Sequence, residues 1–565
     1  MVRLEKFTHR ITGVTKESPN SFDSDQGRLK PPVSQSPTFP AIAPLSFSCR
    51  PESLMLMGGH SLTENDGTWE GSIKGACCKY IFCTAASGCI DVDWRNVARV
   101  TIDILPDLSL LNIFDFYVHE DRVSIDSVDV WYTLAHVCRK WRHVVFASPR
   151  RLDLRLLCTA STLIRENLDI WPRLPIVMRA DGYKKWRTDN IVAALELDDR
   201  ITEFRHINFS NAQWKNVLAA LQQPLPALSC LSLRIRDDEI ASVLPDSFLG
   251  GSAPCLKTLK LHRIPFPAVP KLLLSATQLV YLDLWEIPHS GYISPEAMLA
   301  CLSALTRLET LEIGLGSSRS HPDRESRRPS LTRILFPVLT RLQFKGASEY
   351  LEDLVAGIDA PLLDKMDITL FRQQTLNTPQ LTELISRTPR FKAQERARVV
   401  FDSDWDVWIT LPQTFDGKLC LGISGRQPDW QLSSLAQVCR SSFPQALILA
   451  VERLYMLGGR MLRVLQQDTI ESGRWMELLR PFTAVKSLYI SQEFAVCIAP
   501  SLQELVGERV MEVLPALETL FLEGPSEPIR VREAIWKFAA ARQLSGHPIS
   551  VSRWETEEDV WDEAR

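Results

Sequence analysis

The sequence lacks the features that would place the protein outside the cell or in a membrane. No apolar run reaches the roughly 18 residues that a membrane-spanning helix needs. The N-terminal stretch has no apolar core followed by a small-residue cleavage site, so it does not resemble a secretory signal. The 13 cysteines are few for 565 residues and odd in number, which favours free thiols in a reducing compartment. We therefore expect a cytoplasmic or nuclear protein with no membrane partner.

Motifs of catalysis are also missing. The sequence contains no GxxxxGK[ST] phosphate loop, no HExxH, no paired CxxC and no GxSxG nucleophile elbow. His136 and Cys138 lie two positions apart in a helical pattern, so their side chains point in different directions and suit neither a metal nor a nucleophile pair. A net charge of −4 gives no general reason to bind nucleic acid. We expect that the protein is not an enzyme and that it has neither a cofactor nor a metal site.

Composition and periodicity divide the chain into five parts. Residues 1–100 are rich in Ser and Pro, lack apolar periodicity and are predicted to be largely disordered. Residues 101–150 have helical patterns, and 151–200 form a linker or capping segment. Residues 201–552 contain a repeating apolar pattern. The end, 553–565, is an acidic tail that is predicted to be solvated.

Two amphipathic helical patterns occupy the second part. In ILPDLSLLNIFDFYV, apolar residues lie at i, i+3, i+4 and i+7, which places them on one face of a helix: Leu110, Ile113, Phe114 and Tyr117. WYTLAHVCRKWRHVVF continues the same spacing as a second helix, through Leu134, Val137, Cys138, Trp141 and Val145. The acidic segment between the two is predicted to be a loop.

From about residue 200 the form apolar-x-x-apolar-x-apolar recurs. Seven consecutive copies have the middle residues Ile207, Leu231, Leu259, Leu282, Leu311, Leu342 and Met366, and two later copies are centred on Leu488 and Leu520. Steps of 23 to 31 residues between consecutive copies, with this consensus, are the signature of leucine-rich repeats. The last two apolar positions alternate on a short strand and point inward, and neighbouring repeats must stack to bury them. Weaker candidates fill the gap at Val399–Phe401, Leu419–Ile423 and Leu447–Leu449.

The helical pair resembles the F-box, a motif that docks on an adaptor protein. LPDLSLLNIF is similar to its opening and VCRKWRHVV to its close, so the match covers about 105–147. The segment that follows is similar to F-box proteins with degenerate leucine-rich repeats, of the kind common in mushroom-type fungi. The resemblance implies an α/β fold, with a small helical F-box followed by a leucine-rich-repeat-like solenoid.

The resemblance also implies a function. In this family the F-box binds a Skp-like adaptor, and through it a cullin, in an SCF-type ubiquitin ligase, while the repeat domain holds a protein substrate. Such a receptor needs no catalytic group, because it raises the local concentration of its substrate. Carried over residue by residue, the adaptor-binding positions are Leu105, Pro106, Leu108, Ile113, Phe114, Val137, Cys138 and Trp141.

Two alternatives stay open at this point. The helical pair is alternatively a plain cap on the first repeat, which would bury Leu105, Pro106 and Leu108, whereas a docking module leaves some of them exposed. The repeat domain is alternatively a scaffold that binds a partner protein without any ubiquitin ligase.

The residues that point outward from the predicted strands are the expected substrate surface. They are mixed in charge, which disfavours a purely basic or purely acidic ligand. Trp285 stands out, because an exposed aromatic beside Arg234, His262 and Asp283 has the composition that dominates binding energy at interfaces. The alternative is that Trp285 folds over the neighbouring strand and only packs.

Overall fold

The computed structural model describes most of the chain from residue 105 onward. The described ranges are 105–120, 130–159, 173–179, 188–196, 199–236, 242–265, 269–316, 333–371, 376–401, 406–413, 417–425, 428–458, 471–524 and 528–555. They all belong to one compact unit, Arg99–Arg565. The predictions for residues 1–100, for most of the acidic loop after Glu120 and for the tail from residue 556 lie outside the described residues.

Three helices come first: α1 (Asp107–Glu120), α2 (Val130–Val137) and α3 (Arg139–Ala147). The prediction of one helix across Trp131–Phe146 is wrong, because Cys138 takes an extended backbone (φ −155°, ψ 172°) and interrupts it. The Cys138 sulfur accepts a hydrogen bond from the backbone N–H of Trp141 and so caps α3.

A mixed α/β architecture follows, with one large, mostly parallel sheet that does not close into a barrel. The strands are β1 (Leu156–Cys158), β2 (Ile176–Arg179), β3 (Ile201–Phe209), β4 (Cys230–Ile235), β5 (Thr258–His262), β6 (Tyr281–Ile287), β7 (Thr310–Leu315), β8 (Ile334–Leu335), β9 (Arg341–Gly346), β10 (Ile358–Asp359), β11 (Lys365–Phe371), β12 (Arg396–Phe401), β13 (Asp406–Pro412), β14 (Lys418–Ser424), β15 (Arg453–Gly458), β16 (Ser487–Ile490), β17 (Thr519–Glu523) and β18 (Ser550–Trp554). Sixteen of these form the large sheet, in the order 1-2-3-4-5-6-7-9-11-14-13-12-15-16-17-18, while β8 and β10 pair separately.

Helices connect most of the parallel strands. The described residues contain 14 α-helices, and those after α3 are α4 (Thr188–Leu195), α5 (Asn211–Ala220), α6 (Val269–Ser275), α7 (Pro295–Leu302), α8 (Ser348–Ala356), α9 (Pro379–Arg387), α10 (Pro428–Ser441), α11 (Gln445–Leu449), α12 (Ser472–Leu479), α13 (Gln492–Gln503) and α14 (Ile529–Leu544). Parallel strands require such crossovers, because a short turn reverses the chain direction.

The predicted repeats align in register across the sheet. The middle residues from Leu231 to Met366 lie opposite one another on neighbouring strands. The first copy is the exception, since Phe204 and not Ile207 lies opposite Leu231, with a bulge between them. The sheet also extends beyond the predicted 201–552, because β1 and β2 lie in the predicted linker and β18 ends at Trp554.

The gap between β11 and β15 contains an antiparallel meander. β13 pairs in antiparallel fashion with β12 on one side and with β14 on the other, β14 lies next to β11, and β12 lies next to β15. The connections between these strands are too short for a crossover, so the chain must reverse direction. Two weak repeat candidates therefore lie on β12 and β14 within this meander, and the third, Leu447–Leu449, is wrong because it lies on α11.

Alternation along the strands gives the sheet two different faces. One face is the buried core, where Leu259, Leu282 and Leu311 are fully buried and consecutive helices pack beside one another. The alternate residues form the opposite face, which we call the open face. Its central row runs through the paired residues Ser232, Lys260, Asp283, Glu312, Gln343 and Asp367, and on β15 to β17 through Tyr455, Tyr489 and Phe521.

Candidate functional site

The first candidate surface lies on α1. Leu110, Phe114 and Val118 form its buried stripe. On the opposite side of the helix, Leu108 is 63% exposed and Phe116 is 69% exposed. Large apolar side chains that are exposed on one side of a helix are typical of a surface that binds a partner. Phe116 was not predicted from the sequence, although its position off the buried stripe was a usable signal.

The eight predicted adaptor residues divide by exposure. Those that are exposed are Pro106, Leu108, Ile113 and Val137. Those that are half-buried or buried are Leu105, Phe114, Cys138 and Trp141. The second group holds the helices together, since the rings of Phe114 and Trp141 lie 4.7 Å apart and Lys140 Nζ donates a hydrogen bond to the Leu105 carbonyl at 2.8 Å.

The helices also cover the beginning of the sheet. Trp131 on α2 is buried, and its indole N–H donates to the backbone carbonyl of Arg155, directly before β1, at 2.9 Å. The α1–α3 unit is therefore anchored by one side, while the exposed side of α1 has no cover among the described residues.

The four predicted substrate residues do lie together on the open face. Register places Arg234, His262 and Trp285 opposite one another on β4, β5 and β6. His262 Nε2 lies 2.9 Å from Asp283 Oδ2, and Asp283 is buried. His262 and Asp283 therefore contact each other within the cluster, and Arg234 is its most exposed member.

Trp285 packs over the neighbouring strand, as the alternative interpretation has it. A Cβ atom added to Gly314 on β7 would lie 2.7 Å from the Trp285 ring, so the indole covers that glycine. Trp408 on β13 covers Gly422 on β14 in the same way, with a corresponding distance of 1.8 Å. Both indoles remain half-buried, so they cover the backbone and still reach the surface.

Ion pairs bind the middle of the open face together. Arg341 Nε lies 3.4 Å from Glu312 Oε1, and Lys345 Nζ lies 3.0 Å from Asp406 Oδ2. Burial raises the pKa of Asp367, while neighbouring cations such as Lys418 oppose that shift. The carboxylates lie deep and the cations lie above them, so this region presents mainly positive charge.

An aromatic row on β15 to β18 was not predicted from the sequence. The Tyr455 and Tyr489 rings stack with centroids 4.3 Å apart, and the Tyr489 and Phe521 rings stack at 4.4 Å. The Trp554 ring stands roughly perpendicular to Tyr489 at 5.5 Å. The two late repeat copies place Tyr489 and Phe521 at outward strand positions, so reading those copies to their outward residues would have found them.

The chain was compared with protein-family models and with curated proteins. No protein-family model matches the chain, and no curated protein matches it either. Within the described residues, no cluster of three or more His, Cys, Asp or Glu side chains could hold a metal ion. Among the same residues, no helix has the length and apolar character to cross a membrane.

Proposed function

We propose that the protein is a substrate receptor of an SCF-type ubiquitin ligase, in which α1–α3 bind a Skp-like adaptor and the open face binds the target protein. The observation that supports this most is the exposed apolar side of α1. A cap would bury such residues, whereas Leu108 and Phe116 are largely exposed and Pro106 is exposed beside them.

The large sheet supports the second half of the proposal. Its strands succeed one another with the spacing and register of leucine-rich repeats, and stacked repeats of this kind present an extended surface to a partner. Two surfaces on separate elements, one for the adaptor and one for the target, are what a receptor that works by proximity requires.

Replacing Leu108 and Phe116 together by alanine is expected to weaken adaptor binding by roughly 10²–10⁴-fold. Each fully buried Leu or Phe side chain contributes about 1.5–3 kcal/mol at an interface. Because both residues are exposed in the free protein, the thermal unfolding midpoint should barely change. The measurement is a pull-down of a purified Skp-like adaptor by the full chain, followed by titration.

The matched control replaces two other exposed apolar residues, Trp536 and Leu544 on α14, which should leave adaptor binding unchanged. An adaptor that binds the Leu108 and Phe116 variant as tightly as the native chain would refute the F-box assignment. The native chain failing to bind any Skp-like adaptor would favour the partner-binding scaffold instead.

A further inference from the structure

The open face is basic, although the chain as a whole carries a net charge of −4. By strand register its basic residues are Arg205, Arg234, Lys260, Arg341, Lys345, Lys365, Lys418, Arg396, Arg398 and Arg453. Its acidic residues are Glu203, Asp283, Glu312, Asp367, Asp406 and Glu523. The basic residues outnumber the acidic ones on the side of the sheet that faces away from the helices.

Burial increases this imbalance. Four of the acidic side chains, those of Glu203, Asp283, Glu312 and Asp406, are at most 9% exposed, whereas Arg398 is the one basic side chain of the set buried to that degree. Arg234 and Arg396 are exposed and form no ion pair with a described acidic residue. The mixed charge read from the sequence therefore overstated the acidic share of the accessible surface.

The aromatic row lies beside the positive charge. Arg398 and Tyr455 are directly paired across β12 and β15, and Arg396 is paired with Arg453 two residues earlier on the same face. Thr519 and Ser550 lie on the same line of paired residues as Arg396 and Arg453, and their hydroxyl oxygens are 3.0 Å apart. Aromatic rings and arginines are the residue types that dominate binding at protein interfaces.

The geometry of the rings distinguishes between classes of partner. Tyr455, Tyr489 and Phe521 stack on one another with interplanar angles of 10° and 3°, so both faces of Tyr489 and one face each of Tyr455 and Phe521 are covered. Nucleobases bind single aromatic residues by stacking on free ring faces. Ring edges and phenol hydroxyls suit apolar side chains and peptide groups, which favours a peptide over a nucleic acid.

We propose that the aromatic row and its neighbouring arginines bind a linear acidic peptide segment that carries an aromatic residue. The carboxylates of the peptide pair with Arg396 and displace Glu395 from Arg453, since the Arg453 guanidinium lies 2.9 Å from Glu395 Oε2 in the free protein. The aromatic side chain of the peptide packs against the edges of Tyr489 and Phe521, beside Trp554. This inference deepens the proposed function, because such a segment would be the recognition element of the target protein.

The test uses a labelled synthetic peptide of the sequence ETEEDVWDEAR, which is residues 555–565 of the chain itself and has the required composition. We expect it to bind the full-length protein with an affinity that falls as salt is added. A matched peptide with Gln and Asn in place of Glu and Asp should bind at least tenfold more weakly, as should one with Ala in place of Trp.

The protein variants separate aromatic from electrostatic recognition. Phe521→Ala and Arg396→Ser should each weaken binding at least tenfold. Because Arg396 is exposed, we expect Arg396→Ser to leave the fold intact. Trp536→Ala, at an exposed tryptophan on α14, should have no effect. Equal binding by native and variant proteins, or equal binding of the neutral peptide, would overturn the proposal.

Two further outcomes would replace the external peptide with another occupant. Tighter peptide binding after deletion of residues 556–565 would show that the chain's own tail occupies the surface. Binding of a single-stranded oligonucleotide that is lost in Phe521→Ala would assign the surface to nucleic acid. Adaptor pull-down by the same variants is independent of all these results, so failure of this inference is distinguishable from failure of the F-box assignment.

Discussion

Replacing Arg542 by methionine is expected to lower the free energy of unfolding by about 2–4 kcal/mol. Arg542 lies on α14 and is 1% exposed. Its guanidinium donates hydrogen bonds to the backbone carbonyls of Leu517 at 2.9 Å and Pro515 at 3.2 Å. Methionine fills a similar volume without any donor, so the buried Leu517 carbonyl and the half-buried Pro515 carbonyl would lose this partner. Burial lowers the pKa of the Arg542 guanidinium, because a buried charge loses its hydration. Removing the charge also removes this unfavourable desolvation free energy, which offsets part of the loss in stability.

The measurement is urea-induced unfolding followed by circular dichroism, with amide hydrogen exchange on β17 and β18 to localise the effect. Arg530→Met, at an exposed position on the same helix, is the matched control and should change stability by less than about 0.5 kcal/mol. A loss that is equal in the two variants would show that Arg542 does not hold α14 to the turn before β17.

Gly422→Ala is expected to destabilise the protein by about 1–3 kcal/mol, the range for overpacking. The new methyl group would lie 1.8 Å from Trp408 Cδ1, so the indole would have to leave its place. In doing so it would lose the hydrogen bond from Trp408 Nε1 to Thr369 Oγ1, which is 3.4 Å long. Gly314→Ala, where the nearest Trp285 atom is 2.7 Å away, should cost less.

A double-mutant cycle checks this interpretation. Once Trp408 is alanine, Gly422→Ala should cost little more, because the clashing ring is gone. Gly473→Ala on α12, where an added Cβ has no atom within 4 Å, should be neutral or slightly stabilising, since alanine favours helices over glycine. Additive losses from Gly422→Ala and Trp408→Ala would mean that the strain lies in the backbone and not in the ring.

Local periodicity predicted the regular part of the fold well. The spacing of apolar residues placed β4 to β7, β9, β11 and the late strands β16 and β17, because one buried row fixes the register of a strand, but it did not predict the short pair β8 and β10. It failed at Phe204, where a bulge shifts the register, and at Cys138, where a side chain competes with the helix for backbone hydrogen bonds. Both are local backbone events that apolar spacing does not encode.

The candidate sites were predictable only in outline. Sequence placed Arg234, His262 and Trp285 on one face, but it did not show that Asp283 lies beneath His262 or that Trp285 covers Gly314. Those contacts join different strands, and their depth depends on neighbours more than 20 positions away in the chain. The aromatic row was missed for a related reason, because Tyr455 comes from β15, which the repeat consensus did not identify, and Trp554 had been assigned to the tail.

The meander also bears on how the chain folds as it is synthesised. From β4 to β11 the next partner strand in the large sheet appears 23 to 31 residues later, but Met366 on β11 is partnered by Leu419 on β14, 53 residues later. At about 5–20 residues per second of translation, the outer edge of β11 therefore stays without its native partner for several seconds. β12 emerges first and runs parallel to β11, so it competes for that edge until β14 arrives. This stretch is where misfolding and edge-to-edge association during synthesis should concentrate.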